Sequence, residues 1–198
     1  RYSAPETDNT LLSTLILGAV TTLIGNFFIN RQKQIAAERE FRAAELKMAN
    51  KVFDEVSNAM AALAQLSREA MWALVLRPDR KKQWMPEDST TWAAYNQELA
   101  SWNRSRARNR ALTKKYFGDT AVVGLKQIQG DLATLESRIA ATYFGRVRSR
   151  DYLTTRNVGK QYVGLSDRLL ETDIVALTET MIEKIQKQEV GALATSNI

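Results

Sequence analysis

Residues 9–30 read NTLLSTLILGAVTTLIGNFFIN and contain no charged side chain, although 25% of the whole chain is charged. A helix needs about 20 predominantly apolar residues to cross a bilayer, and residues 11–30 have that length. We therefore predict a transmembrane anchor over residues 11–30, preceded by a short N-terminal segment, residues 1–10. The alternative is a buried core helix of a soluble protein, because serine, threonine and asparagine dilute the apolar run.

Basic side chains follow the predicted anchor. Arg1 is the one basic residue before it, near Glu6 and Asp8. A basic flank usually faces the cytoplasm, so the pattern predicts a single-pass membrane protein with its helical body on the cytoplasmic side. No small-residue cleavage site follows the apolar run, which argues against a secretory signal peptide. The basic residues after the anchor are Arg31, Lys33, Arg39 and Arg42.

Small residues share one face of the predicted anchor. Thr14, Gly18, Thr21 and Gly25 recur at steps of three and four residues. Small residues with this spacing let membrane helices approach closely, and hydroxyl groups can form hydrogen bonds across the contact. We expect this face to pack against copies of the chain or against another membrane subunit. It can also line a pore, and glycine and threonine are common in membrane helices without either role.

The helix predicted over residues 31–76 changes character along its length. Its start, residues 32–47, is polar and is typical of a solvated stalk. Farther on, apolar residues recur at alternating steps of three and four, which predicts a coiled-coil seam. This seam can pair within the chain's own bundle or with a neighbouring chain. Its residues are Leu46, Ala49, Phe53, Val56, Met60 and Leu63.

The rest of the chain, residues 77–198, shows three more amphipathic patterns and a C-terminal tail. Capping residues and glycines mark the ends of the first two of these predicted helices. With the first helix they predict an all-α chain folded as an antiparallel bundle of about four helices. The predicted bounds are Ser89 or Thr90 to Gly118 for the second helix, Asp119 or Thr120 to Gly145 for the third, and roughly residues 158–190 for the fourth.

The net charge of +6 is unevenly distributed, with two basic runs and an acidic fourth helix. Three interpretations are open. The runs can pair with the acidic helix, bind anionic lipid, or neutralise the phosphates of a nucleic acid, of which nucleic acid is the least favoured. The first run is Arg104, Arg106, Arg108, Arg110, Lys114 and Lys115, and the second includes Arg146, Arg148 and Arg150.

Trp84 is the tryptophan with the least reason to be buried. It lies in a predicted loop, after two lysines and before Met85-Pro86. A tryptophan beside lysines suits a membrane interface or a partner's pocket. A loop tryptophan that folds back under its own domain is equally ordinary.

The composition excludes much enzyme chemistry. The chain has no cysteine and no histidine. Histidine general bases, cysteine nucleophiles and most zinc, copper, haem and iron–sulfur sites are therefore ruled out. Glycine-rich phosphate loops are also absent from the sequence. We predict neither a catalytic site nor a cofactor.

Together these patterns predict a non-enzymatic protein that works by assembly. The leading hypothesis is a structural or adaptor subunit of a membrane complex, which associates with itself, with other subunits, or with both. The alternative is a pore-forming or membrane-perturbing oligomer. A basic soluble bundle that binds nucleic acid is the third hypothesis.

Overall fold

The computed structural model describes residues 7–76, 90–148 and 162–195, with side chains for residues 23, 25–72, 90–142 and 162–194. The described residues form helices joined by a short turn, and none of them lies in a strand. The prediction of an all-α chain is therefore confirmed. The finer predictions, an antiparallel bundle of about four helices and a coiled-coil seam, stay predictions.

Three α-helices, a further α-helical stretch over residues 162–168 and two shorter helical segments make up this part of the chain. Helix α1 is Thr7–Leu76, and α2 is Thr90–Arg148. Helix α3 is Ile174–Gln186, and one turn of π-helix, Leu169–Asp173, precedes it. A 3-10 helix at Gly191–Thr195 follows α3.

The chain divides into two compact units. The first is Arg1–Ala44 and holds the start of α1. Its described side chains from residue 26 to residue 44 are all exposed. The second unit is Glu45–Ile198 and holds the rest of α1 with the other helical segments.

Helix α2 breaks at Gly118, which has φ 77° and ψ −173° and joins two limbs, residues 90–117 and 119–148. Only glycine adopts these angles readily, because a Cβ atom would clash with the backbone. The predicted helix end at Gly118 is thus confirmed. The predicted end at Gly145 is wrong, since the second limb continues to Arg148. Glycine inside a helix costs only about 1 kcal/mol relative to alanine, so it need not end one.

The fourth predicted helix also ends earlier than expected, at Gln186 instead of near residue 190. Lys187 closes it, and Gln188 and Gly191 then take positive φ angles of 56° and 54°. This turn lets Val190 and Leu193 reach the core, where both are buried. The predicted start, residues 158–161, lies outside the described residues.

The second unit has one apolar core to which all its helical segments contribute. Met60 of α1, Phe117 and Leu125 of α2, and Met181 of α3 are fully buried in it. The stripe of the second limb is buried along its length, as its three-to-four-residue spacing predicts. The buried residues of this stripe are Leu125, Ile128, Leu132, Leu135 and Ile139.

We predict opposite effects for alanine at two glycines of α2. Gly118→Ala should lower the free energy of unfolding by about 1–3 kcal/mol, because φ 77° is strained for any residue with a Cβ atom. Gly130→Ala should raise it by about 0.5–1 kcal/mol, since nothing lies within 4 Å of the added Cβ atom and alanine favours the helix. Urea titrations followed by circular dichroism measure both. Equal effects of the two changes would contradict the bend at Gly118.

Candidate interaction surfaces

The predicted anchor lies mostly where side chains are not described. The backbone over residues 11–30 belongs to α1, but the side chains of Thr14, Gly18 and Thr21 lie outside the described residues. Gly25 has no atom within 4 Å of the position that a Cβ atom would take. In the described part of the chain, no helix has both the length and the apolar character that crossing a bilayer requires.

Large apolar side chains are exposed in the first unit. Leu23, Phe27, Phe28 and Ile29 are each more than half exposed, and Phe41 is 50% exposed. The rings of Phe27 and Phe28 meet edge to face, with their centroids 6.2 Å apart. Contiguous exposed apolar surface is typical of regions that a partner or a membrane covers.

The predicted seam lies against the chain's own core. Ala49, Val56, Met60 and Leu63 are buried, and Leu46 and Phe53 are partly buried against the same cluster. Burial of these apolar side chains stabilises the second unit by about 25 cal/mol per Å² of apolar surface removed from water. The seam is therefore occupied within the chain. An interface with a neighbouring chain needs a different surface.

Two members of the first basic run form ion pairs with residues of α1 and α2. Arg108 forms an ion pair with Glu55 of α1 at 3.0 Å, and Lys114 pairs with Asp119 at 3.1 Å. Arg104 is exposed and Arg106 is half-buried. Among the described ion pairs, none joins this run to the acidic residues near α3.

Two members of the run make other contacts. Arg110 donates a hydrogen bond from Nη2 to Oε1 of Gln129 at 2.7 Å, across the two limbs of α2. Lys115 donates to the Tyr116 hydroxyl at 3.2 Å, and its Nζ lies 4.8 Å from the centre of that ring. The hydrogen bond to Tyr116 raises the pKa of Lys115. Both side chains are thus positioned by contacts inside the second unit.

The remaining candidates of the basic surface lie outside the described residues. Arg146 and Arg148 are on the α2 backbone, but their side chains are not described. Trp84 and Arg150 are not described at all. Their contact with lipid or an acidic partner stays a prediction.

The acidic residues near α3 have partners that the sequence did not reveal. Asp167 pairs with Arg68 of α1 at 3.4 Å. Arg168 pairs with Asp131 of α2 at 2.8 Å and with Asp173 at 3.1 Å. A π-helix brings residues five positions apart into register, so the π turn aligns Arg168 with Asp173. An ordinary α-helical spacing does not place such a pair on one face.

Gln129 forms the centre of a buried polar contact between the limbs of α2. Its side chain and that of Thr113 are almost fully buried. Gln129 Nε2, Thr113 Oγ1 and Arg110 Nε have no hydrogen-bond partner among the described residues. A buried unpaired group costs about 1–3 kcal/mol, so this contact does not stabilise the second unit strongly.

The C-terminal segment is fixed to the start of the second unit. Glu45 accepts a hydrogen bond from the backbone N–H of Ala192 at 3.2 Å. A Cβ atom at Gly191 would overlap the Glu45 carboxylate and crowd the Tyr116 ring. Glycine at position 191 therefore meets two requirements, the positive φ angle and this close approach. Gly191, near the end of the last amphipathic pattern, was the one feature of the sequence that could have indicated the contact with Glu45.

The described residues offer no arrangement for a resident metal ion. In the described part of the chain, no three or more aspartate, glutamate, histidine or cysteine side chains are grouped to hold one. The surfaces described above are suited to packing and to charge pairing. They contain exposed apolar side chains in the first unit and arginines on the second.

Comparison with protein-family models, with curated proteins and with solved structures found no match to this chain.

Tyr95 is buried in the core of the second unit and gives a pH-dependent test of how that core packs. Burial, with a smaller contribution from the charge of Glu136, raises the pKa of Tyr95 well above its ordinary value. In the unfolded chain the phenol ionises near pH 10, so above that pH the unfolded state binds fewer protons and stability falls.

We therefore expect the free energy of unfolding to fall by up to about 1.4 kcal/mol per pH unit above about pH 10 through this one group. Tyr95→Phe removes the phenol and should make that decline less steep than in the unsubstituted chain. Urea titrations between about pH 9 and pH 11.5 compare the two chains across this window. Parallel declines would show that Tyr95 ionises in the folded chain as easily as in the unfolded one.

Proposed function

We propose that this chain is a non-enzymatic, single-pass membrane protein that works by assembly, as a structural or adaptor subunit of a membrane complex. The observation that supports the proposal most is the continuity of helix α1. The helix runs without a break from Thr7 to Leu76, from an uncharged stretch to residues buried in the core of the second unit. A helix of this kind suits a protein that holds a helical body at a membrane.

The uncharged stretch supports the membrane part of this proposal. Residues 11–30 lie within α1 and correspond to about 30 Å of helix, which is the thickness of the hydrocarbon core. The exposed side chains at the end of this stretch, Phe27, Phe28 and Ile29, suit lipid or the interfacial region. The basic residues that follow favour a cytoplasmic location for the body.

An uncharged stripe on the stalk supports the assembly part. Six exposed residues in the first unit fall on alternating steps of three and four, the spacing of a two-stranded coiled coil. Phenylalanine and alanine supply apolar contacts, and the two polar residues favour one register over others. The neutral stripe consists of Phe27, Asn30, Gln34, Ala37, Phe41 and Ala44.

The proposed partner for the neutral stripe is a second copy of the chain in parallel orientation. Two copies anchored in one membrane place the same residues at the same height, so each stripe residue meets its equivalent. The surface of the helical body, which we propose to be an antiparallel bundle, then remains open for other subunits. The basic run on α2 is part of that surface.

We expect cysteine cross-linking to distinguish the two faces of the stalk. The chain has no cysteine, so a single introduced thiol can react only with that of another copy. Ala37→Cys lies on the neutral stripe, and oxidation in vesicles should link two copies, because a disulfide requires Cα atoms about 4.4–6.8 Å apart. Gel electrophoresis without reductant measures the linked fraction.

Ala43→Cys is the matched control, since Ala43 is also an exposed alanine of α1 but lies off the stripe. It should cross-link far more slowly than Ala37→Cys. The ratio should persist when the vesicles are diluted with lipid, which suppresses chance collisions. Equal cross-linking at the two positions, or none at position 37, would contradict the proposed interface.

A further inference from the structure

Three arginines of the first unit lie on one side of α1. A helix turns by roughly 100° per residue, so Arg31, Arg39 and Arg42 fall within a sector of about 80°. Phe28, about one turn before Arg31, and Ile35, between Arg31 and Arg39, lie in the same sector. We call these five residues the arginine stripe. It faces away from most of the neutral stripe described above.

The arginine stripe is exposed and its charges are available. All three arginine side chains are exposed, and Phe28 and Ile35 are 58% and 41% exposed. Among the described residues, no ion pair within 4.0 Å involves any of the three arginines.

Acidic residues of the same segment leave this sector largely positive. Glu38 adjoins its edge, and Glu40 lies on the other side of the helix beside Lys33. Within the first unit, the stripe therefore combines three guanidinium groups with two apolar side chains and has a single acidic neighbour.

This combination fits the surface of an anionic membrane. Guanidinium groups bind phosphate oxygens through paired hydrogen bonds, and basic clusters next to a membrane helix are attracted to anionic lipids. The apolar side chains beside the arginines can enter the interfacial layer. We propose that the arginine stripe binds the headgroups of anionic phospholipids and makes the stalk lean towards the membrane surface. This inference rests on the proposed membrane anchor.

The stalk must lean for all three arginines to reach the headgroups, because two of them stand too high in an upright stalk. In an upright stalk, Arg39 and Arg42 stand about 12 Å and 16 Å above Arg31. The headgroup layer is only about 5–7 Å thick on each side of the bilayer. Electrostatic attraction extends over about 8–10 Å, and interfacial arginines are among the residues that set a helix's tilt. A lean of the paired stalk towards the stripe of one copy brings that copy's upper arginines to the headgroups, while the stripe of the second copy, across the proposed contact, faces away from the membrane.

Headgroup quenching of a fluorophore tests this proposal in the full chain. A fluorophore on Ala43→Cys stands about 18 Å above Arg31 when the stalk is upright, and it approaches the headgroups when the stalk leans. The labelled chain is reconstituted in phosphatidylcholine vesicles with and without phosphatidylglycerol, both containing a lipid with a spin label on its headgroup. Each arginine near an anionic surface shifts the equilibrium by about fivefold, so quenching should be clearly stronger in the anionic vesicles and should decrease in high salt.

Two charge reversals identify the face that is responsible. Arg39→Glu should abolish the extra quenching in anionic vesicles. Lys33→Glu makes the same change in net charge, closer to the proposed anchor but on the opposite side of the helix, and should leave the extra quenching in place. Equal loss in both variants would overturn the stripe in favour of a general charge effect.

The remaining outcomes separate this inference from the anchor. If the chain floats with both kinds of vesicle and shows equal quenching in them, the arginine stripe is overturned and the anchor stands. If the chain floats only with anionic vesicles, the anchor is overturned, and the stripe is supported if Arg39→Glu abolishes that flotation while Lys33→Glu leaves it, and overturned otherwise. If it floats with neither, both are overturned. An acidic partner protein as the true ligand would appear as equal quenching in the two vesicles.

Discussion

Helix α1 is one continuous helix with two different environments, a buried one in the core of the second unit and an exposed one in the first unit. The rest of the structure depends on this difference. Beyond Glu45 the helix contributes Ala49, Val56 and Met60 to the core, where all three are completely buried. From residue 26 to residue 44 every side chain is exposed. Loss of apolar area from water stabilises the second unit, whereas the exposed apolar side chains of the first unit have no such compensation within the chain. The proposed membrane and the proposed second copy would cover them.

The second unit is stabilised mainly by its apolar core. Most of the described ion pairs are at least partly exposed, and exposed pairs contribute only about 0–1 kcal/mol each. Arg168, for example, contacts Asp131 of α2 and Asp173 beside α3 at the same time. Two backbone turns complete the core. Gly118 folds the limbs of α2 against the same cluster, and the turn at Gly191 brings Leu193 into it.

Periodicity predicted the helices well because burial of one face leaves a regular trace in the sequence. Leu125 through Ile139 illustrate this, and Gly118 was found because a positive φ angle favours glycine. Contacts that join distant positions left no such trace. Glu45 and Ala192 are 147 residues apart, and the π turn that aligns Arg168 with Asp173 has no sequence signature. The acidic fourth helix was found, but its partners depend on which helices become neighbours.

The candidate surfaces were predicted less completely than the fold. The seam around Val56 and Met60 was found as a pattern, yet a pattern alone could not say that it packs inside its own chain. The neutral stripe and the arginine stripe were not predicted, because the sequence of the stalk was interpreted only as a polar, solvated segment. They become visible once α1 is known to be continuous there, because only then do residues from Phe27 to Ala44 acquire fixed directions around one axis.

The most direct test of the central claim is the mass of the detergent-purified full chain by light scattering, with the detergent mass subtracted. It is measured beside a version that lacks the residues before Gln32. Assembly that requires the proposed anchor predicts a defined multiple of 22.3 kDa for the full chain. It predicts a monomer for the shortened one, because the four remaining residues of the neutral stripe span less than the three to four heptads of a stable coiled coil. A full chain of 22.3 kDa would contradict self-assembly. An oligomer that survives the truncation would contradict the role given to the start of α1.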